Sequence, residues 1–275
     1  MTSTGEPDRW APSVKGWSRF LSPFRPDRDD VSIVERVARE LASDAPLQVV
    51  TLGLTPEVIG CNWPEATSLK AFDSSHEALR RLWPVTGAPA GFEARQASWL
   101  DLPVERGSAD LVTADGSLVC VSYPAQIERV LEEVRRVLRP GGMFVARTFL
   151  RPDDPETLDA ILADLEAGRI GNPYVLKIRV DAVLHHDGFA GFSMLEKSNL
   201  WQELFPDPAA VAARFGWAPE TMAIPGDYSI ADLRFTYPTL GELRGFLAQG
   251  FEELECAFAS YELAERCPSL VLRKK

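Results

Sequence analysis

The chain is predicted to be an α/β protein: a mostly parallel sheet, an antiparallel hairpin at its C-terminal end, and a helical insertion between the fifth and sixth strands. Three observations lead there. The run at 47–53, LQVVTLG, is short, apolar and rich in branched residues, as suits a strand buried on both faces of a parallel sheet. Twenty residues past Gly53 a second such run, 68–72, delivers an acid, Asp73. The chain then closes on a helix, the pair Gly250-Phe251, and two strands separated by residues 261–268. The expected organisation is an N-terminal cap segment (1–29), a core (30–150 and 239–275) and a mainly helical insertion (151–238).

In chain order, residues 1–8 are expected to be loosely held. Trp10, Trp17, Phe20, Leu21 and Phe24 make an aromatic stretch that must pack on the body. Asp27, Asp29 and Asp30 mark the entry to a helix with the apolar stripe Val31, Val34, Val37, Ala38 and Leu41. After the first strand comes a turn, Leu54-Thr55-Pro56-Glu57. Ser74 and Glu77 read as a Ser-x-x-Glu capping box for a helix through Trp83, which leaves Asp73 free for another task. A third strand spans 92–97, and a fourth, 111–114, ends at Asp115-Gly116-Ser117-Leu118. Ile127, Val130, Leu131, Val134, Val137 and Leu138 repeat at helical spacing, with Arg135, Arg136 and Arg139 crowding the helix end. Pro140-Gly141-Gly142 stops that helix, and 143–149 is the fifth strand.

Beyond it, Asp154-Pro155, Asn172-Pro173 and Asp207-Pro208 each pair a cap residue with a proline at the first helical position. The helices they open are rich in aromatic residues and are expected to form a cap above the strand ends. Thr239 and Glu242 form a second capping box, opening a helix through Gln249.

In open α/β sheets ligands lie beyond the carboxyl ends of the strands, and an acid about 20 residues past the first turn holds a ribose diol, because one carboxylate accepts from both hydroxyls. Asp73 sits at that spacing.

The segments "LKAFDSSHEAL", "LPVERGSADLVTADGSL" and "LRPGGMFVARTF" together resemble the class I S-adenosylmethionine-dependent methyltransferases. The resemblance implies a Rossmann-like sheet, S-adenosylmethionine as cofactor, and the ribose role for Asp73. It places Ser98 and Trp99 at the adenine, where the family usually carries an Asp in place of Ser98. The first turn departs from the family: Thr51 stands in place of an acid, and LGLTPE keeps only the first glycine of Gly-x-Gly-x-Gly. With Asn62-Trp63-Pro64 following, it reads as a specialised variant in which Gly53, Thr55 and Glu57 line the cofactor, Glu57 near its amino group. Ser74 and Asp115 complete the expected cofactor set. The aromatic N-terminal stretch, Trp17 included, is expected either to cover the active site against substrate or simply to pack.

Methyl transfer from a sulfonium is an in-line displacement in which positioning supplies most of the catalysis, with a base in some cases. Asp115, Ser117 and Tyr123, at and after the end of the fourth strand, are candidates to face the methyl; Asp115 alternatively caps the next turn. His186 is a candidate base, the alternative being a surface pair with His185. Arg147, near the end of a central strand, needs a partner because a lone buried charge is costly. That partner is either Asp115 or a substrate carboxylate.

At 275 residues with 45% apolar composition, the chain is long enough for one large domain or a core with one insertion. A net charge of −11 argues against a nucleic-acid groove, which needs clustered Lys and Arg. No apolar run approaches the ~18 residues of a membrane span, and the N-terminus lacks the apolar core of a secretory signal. The four cysteines have no metal-type spacing and read as reduced thiols in a cytoplasmic protein, with Cys256 and Cys267 able to face one another across the final hairpin. The expected function is methyl transfer to a small molecule, compatible with a homodimer and without metal; the alternative is a cofactor-binding protein that has lost catalysis. A nicotinamide-dependent dehydrogenase is disfavoured by the absent Gly-x-Gly-x-x-Gly and by the antiparallel end.

Overall fold

The computed structural model describes residues 8, 10–85, 88–89, 91–185, 189–223 and 233–275. The elements run α1 (Ala11–Lys15), α2 (Arg28–Leu41), β1 (Leu47–Leu52), α3 (Pro56–Ile59), β2 (Thr67–Asp73), α4 (His76–Arg81), β3 (Glu93–Gln96), β4 (Ala109–Asp115), α5 (Ala125–Val137) and β5 (Leu138–Arg147). They continue as α6 (Leu158–Glu166), α7 (Pro173–Leu184), β6 (Phe192–Ser193), α8 (Met194–Leu204), α9 (Pro208–Phe215), α10 (Pro219–Met222), β7 (Arg234–Phe235), α11 (Leu240–Leu247), β8 (Phe251–Ala257) and β9 (Ser269–Lys274).

Among the described residues the main sheet has seven strands in the order β3-β2-β1-β4-β5-β9-β8. The strands from β3 to β5 are mutually parallel. β9 inserts antiparallel between β5 and β8, so the chain does end on an antiparallel pair. The order reverses between β1 and β4, and a crevice opens there beyond their carboxyl ends.

Period-2 alternation sends successive side chains to opposite faces, and each face is covered by helices. Val50, Leu52, Val112 and Phe144 pack with Ile127, Val130, Leu131 and Val134 of α5 and with Leu243 and Leu247 of α11. Val49, Leu69, Leu111 and Val145 pack with Ile33, Val34, Val37 and Ala38 of α2. α2 starts on a capping box in which the Asp27 side chain accepts from the N–H groups of Asp29 and Asp30 while the Asp30 carboxylate accepts from Asp27 N–H. The insertion carries its own small core around Ile161, Leu165, Val175, Leu176, Val180 and Trp201.

Several boundaries differ from the sequence expectation. Ser75, not Ser74, caps α4, and it accepts from Ala78 N–H at 3.0 Å. Thr157 rather than Asp154 caps α6. β5 begins at Leu138, so Pro140-Gly141-Gly142 lies inside the strand's span instead of before it. The caps expected at Asn172, Asp207 and Thr239 are present. All four cysteines are unpaired.

Candidate functional site

The tips of β1, β2 and β4 converge on Gly53. It follows β1 at φ +98°, a conformation open to glycine, and its N–H donates to Phe72 O at 2.8 Å. A Cβ placed there would stand 3.6 Å from both Ser117 Oγ and Trp99 Cζ2 and 3.9 Å from Asp73 Oδ2. The missing side chain therefore leaves a cradle with a carboxylate, an indole and a hydroxyl around it. Each wall is tied down. Asp73 Oδ1 accepts from Ser75 N–H at 2.8 Å, Trp99 Nε1 donates to Phe72 O at 2.7 Å, and Ser117 Oγ donates to Leu52 O at 2.6 Å. Burial pushes the Asp73 carboxyl up to about 6, further helped by Asp8 and opposed by the N–H groups of Ser75, Leu54 and Ser74.

Asp115, the last residue of β4, is held from two sides. Its Oδ2 accepts from Thr55 Oγ1 at 3.1 Å, and its Oδ1 pairs with Arg147 Nε. Arg147 also donates to Pro23 O at 2.7 Å, Phe24 O at 3.1 Å and the Tyr261 hydroxyl at 3.3 Å. Its partner is thus Asp115 with two N-terminal carbonyls, and it stands behind the crevice. Thr51, which replaces the family's acid, is buried and accepts from Thr113 Oγ1 at 2.8 Å.

The N-terminal segment and the insertion close the crevice into a cavity of about 300 Å³. Trp10, Trp17, Phe20 and Phe24 line it from one side, and Tyr174, Lys177, Asp181, Lys197 and Tyr237 from another. Asp181 is 1% exposed; its Oδ2 accepts from Lys197 Nζ at 2.6 Å and from the Tyr237 hydroxyl at 3.2 Å. Lys177 Nζ donates to Thr221 O at 2.6 Å and Ala223 O at 3.2 Å, and lies 5.2 Å from the Tyr174 ring centroid. Burial, with Lys197 adding to it, brings the Lys177 ammonium down to about 7 against the pull of Asp181.

Of the residues singled out from the sequence, Gly53, Thr55, Asp73, Trp99, Asp115, Ser117 and Trp17 line this one cavity. Others do not reach it. Glu57 instead pairs with Arg25, because α3 turns its side chain toward the N-terminal segment. Ser74 and Ser98 are exposed and outside the lining; Ser98 Oγ accepts from Leu100 N–H at 3.2 Å and so serves its own turn. Tyr123 packs with Phe189 and Phe246 in the apolar cluster on α5's side of the sheet, its hydroxyl buried without a partner. Arg147 is committed as described. His186 falls outside the described residues.

Sequence reasoning missed Lys177, Asp181, Lys197 and Tyr237. A signal was present: Lys177 and Asp181 lie four residues apart on α7, a helix buried almost continuously from Pro173 to Asp181, and such charges need a special reason to be there. Among the described residues there is no group of three His, Cys, Asp or Glu placed to hold a metal, and no helix long and apolar enough to cross a membrane.

Comparison with known proteins agrees with this geometry. Residues 36–146 match the methyltransferase domain family. An uncharacterized chloroplastic methyltransferase of Arabidopsis thaliana is 35% identical over 86 residues, an alignment covering 29% of this chain and 23% of that protein, so the match spans about a quarter of the relative. Two solved structures share the fold over nearly their whole length. The N-methyltransferase NodS of Bradyrhizobium japonicum, in complex with S-adenosyl-L-homocysteine, is 11% identical with a TM-score of 0.54, covering 98% of this chain and 99% of that one. A candidate zinc-dependent alcohol dehydrogenase of Rhodobacter sphaeroides is 13% identical with a TM-score of 0.62, covering 98% of each chain. At these identities the likeness concerns the fold alone.

Proposed function

We propose that this chain, whose residues 36–146 match the methyltransferase domain family, binds S-adenosylmethionine across its strand tips and transfers the methyl group to a small-molecule acceptor. One observation carries the proposal: Asp73, Trp99 and Ser117 converge on the side-chain-free position of Gly53, at the point where the strand order reverses. The residues present fit the cofactor. Asp73 can accept from both ribose hydroxyls, Trp99 offers a ring face to the adenine, and Gly53 lets the backbone approach closely.

When bound, the cofactor supplies an electrophilic methyl on a sulfonium. The chain's own residues position and enclose. Arg147 and Thr55 hold the Asp115 carboxylate at the floor of the cavity, leaving it little freedom to act as a base. Residues 1–29 act as a cap on one side and 151–238 as a substrate cap on the other, with Trp17, Phe20 and Phe24 contributing the apolar wall. A cavity of about 300 Å³ suits small molecules, and a net charge of −11 supports such an acceptor over nucleic acid. Four unpaired thiols fit a reducing, cytoplasmic setting.

Calorimetry with S-adenosylmethionine and S-adenosylhomocysteine tests the proposal. Binding of both is expected, and binding of neither overturns it. A second reading, cofactor binding without turnover, draws on the full engagement of Asp115 and the internal pairing of Thr51. Formation of S-adenosylhomocysteine on incubation with a fractionated metabolite extract distinguishes the two.

A further inference from the structure

Two buried ammonium groups stand at the wall of the cavity on the side of the insertion. Lys177 of α7 and Lys197 of α8 are each 7% exposed, and both line it. Their charged ends are at that wall. Lys177 Nζ donates to Ala223 O at 3.2 Å and lies 5.2 Å from the Tyr174 ring centroid, while Lys197 Nζ lies 5.7 Å from that of Phe24. Ala223, Tyr174 and Phe24 all line the cavity.

We propose that the insertion half of the cavity is a carboxylate-binding site, and that the methyl acceptor is a small monocarboxylic acid held there by Lys177 and Lys197. This rests on the methyltransferase reading only in taking the guest to be the methyl acceptor.

The charges select a monoanion. Lys197 pairs with Asp181 at 2.6 Å, so those two balance. Lys177 donates to the carbonyls of Thr221 and Ala223, which carry dipoles and no net charge. One positive charge is therefore left over in a buried place, where an unbalanced ion is costly. Burial and the neighbouring Lys197 both press Lys177 toward its neutral form, down to about 7, against the pull of Asp181. Arg19 and Glu220, which line the same side, are exposed and of opposite sign. A guest with a single negative charge closes the balance.

The hydrogen bonds select a carboxylate. An ammonium has three donors. Lys177 uses two, on Thr221 O and Ala223 O, and Lys197 uses one, on Asp181 Oδ2. Both keep donors to spare, and a carboxylate brings two charged oxygens to meet them in charge-assisted bonds. The rest of the guest lies against the apolar wall of Trp17, Phe20 and Phe24.

Position in the chain separates this site from one for the cofactor's own carboxylate. Gly53, Asp73 and Trp99, which form the cradle at the strand tips, fall within the residues 36–146 that match the methyltransferase domain family. α7 and α8 fall outside them.

Calorimetry on the full chain loaded with S-adenosylhomocysteine compares 2-naphthoate, 2-naphthamide and 2-naphthyl phosphate. The first two share a shape and differ in charge. 2-Naphthoate is expected to bind about tenfold or more tighter than 2-naphthamide, and tighter than the doubly charged phosphate. In Lys177→Met the preference for the carboxylate is expected to shrink to about twofold or less, with S-adenosylhomocysteine affinity unchanged. Lys177→Arg keeps the charge and should retain part of the preference. Equal binding of 2-naphthoate and 2-naphthamide to the native chain overturns the proposal, as does failure of both to bind. Tighter binding of the phosphate overturns the choice of a carboxylate. Weaker S-adenosylhomocysteine binding in Lys177→Met overturns the proposal too, by assigning the ammonium to the cofactor. Should Lys177→Met not fold, the native series decides alone. Absence of S-adenosylhomocysteine binding to the native chain sinks the methyltransferase reading instead, and the same probes on the cofactor-free chain then still read the carboxylate site.

Discussion

Arg147 donates through Nη1 to the carbonyl oxygen of Pro23 at 2.7 Å, tying the end of a central strand to a segment 124 residues earlier. The same guanidinium holds Phe24 O and pairs with Asp115. Strand floor and aromatic roof are therefore joined at one buried, 3% exposed residue. Arg147→Met removes one partner of a buried pair and is expected to cost about 3–5 kcal/mol in denaturant unfolding. Combining it with Asp115→Asn should restore part of that loss. In Arg147→Met, limited proteolysis is expected to cut between residues 16 and 25 faster than in the native chain, since the guanidinium no longer holds Pro23 O and Phe24 O.

Asp73 links cofactor binding to stability. Asp73→Ala leaves two hydroxyls of a bound ribose unmet and is expected to weaken S-adenosylhomocysteine binding by about 1–3 kcal/mol in calorimetry. Unchanged affinity would remove Asp73 from the site.

The same carboxyl predicts a pH effect in the free protein. Its folded value, about 6, lies above the ordinary 3.8, so the folded state binds the proton more tightly than the unfolded state. That contribution to stability is fully present below pH 3.8 and is lost as pH rises through about 6. Asp73→Asn should therefore be more stable than the native chain at pH 7.5, by about 1–3 kcal/mol, while binding cofactor less well. Asp30, buried behind the site and also raised to about 6, titrates in the same window. For that reason the native-minus-variant difference is the quantity to measure.

Lys177 acts in a separate window. Burial lowers its folded value from 10.5 to about 7, so the folded state binds fewer protons than the unfolded one between those limits. Stability is expected to rise with pH from 7 toward 10, the stabilisation being absent below pH 7. Lys177→Met should flatten that rise between pH 7 and 9.5, read from thermal unfolding as a change of slope. A slope unchanged by the substitution would show that the ammonium is not desolvated.

Two substitutions should leave cofactor affinity alone. Glu57 pairs with Arg25 and Tyr123 lies among Phe189 and Phe246, so Glu57→Gln and Tyr123→Phe should each bind S-adenosylhomocysteine within about 0.5 kcal/mol of the native chain. Glu57→Gln also loosens a partly exposed ion pair, with about 0–1 kcal/mol of stability at stake.

Gly53→Ala forces a Cβ into the cradle at a positive φ. A loss of more than about 1 kcal/mol in stability is expected, together with weaker cofactor binding.

What the sequence determined by itself was the local grammar of the fold. Alternation in 47–53 and 111–114, the helical stripe from Ile127 to Val137 and the closing Gly250-Phe251 specify strands, helices and their order, because burial on one face or two leaves a period in the residues. Asp73 and Gly53 were legible for the same reason, since strand ends and tight turns have local signatures. Side-chain destination is not local. Whether Glu57 met a cofactor or Arg25, whether Arg147 met a substrate or Asp115, and whether Tyr123 faced the crevice or the core depended on segments far away in the chain. The polar set of Lys177, Asp181, Lys197 and Tyr237 exists only because α7, α8 and the stretch before α11 come together. Tertiary packing alone decided those pairings, because a charge or an orphaned donor is satisfied by whichever group the fold brings within 3 Å or so, and spacing along the chain carries no record of it.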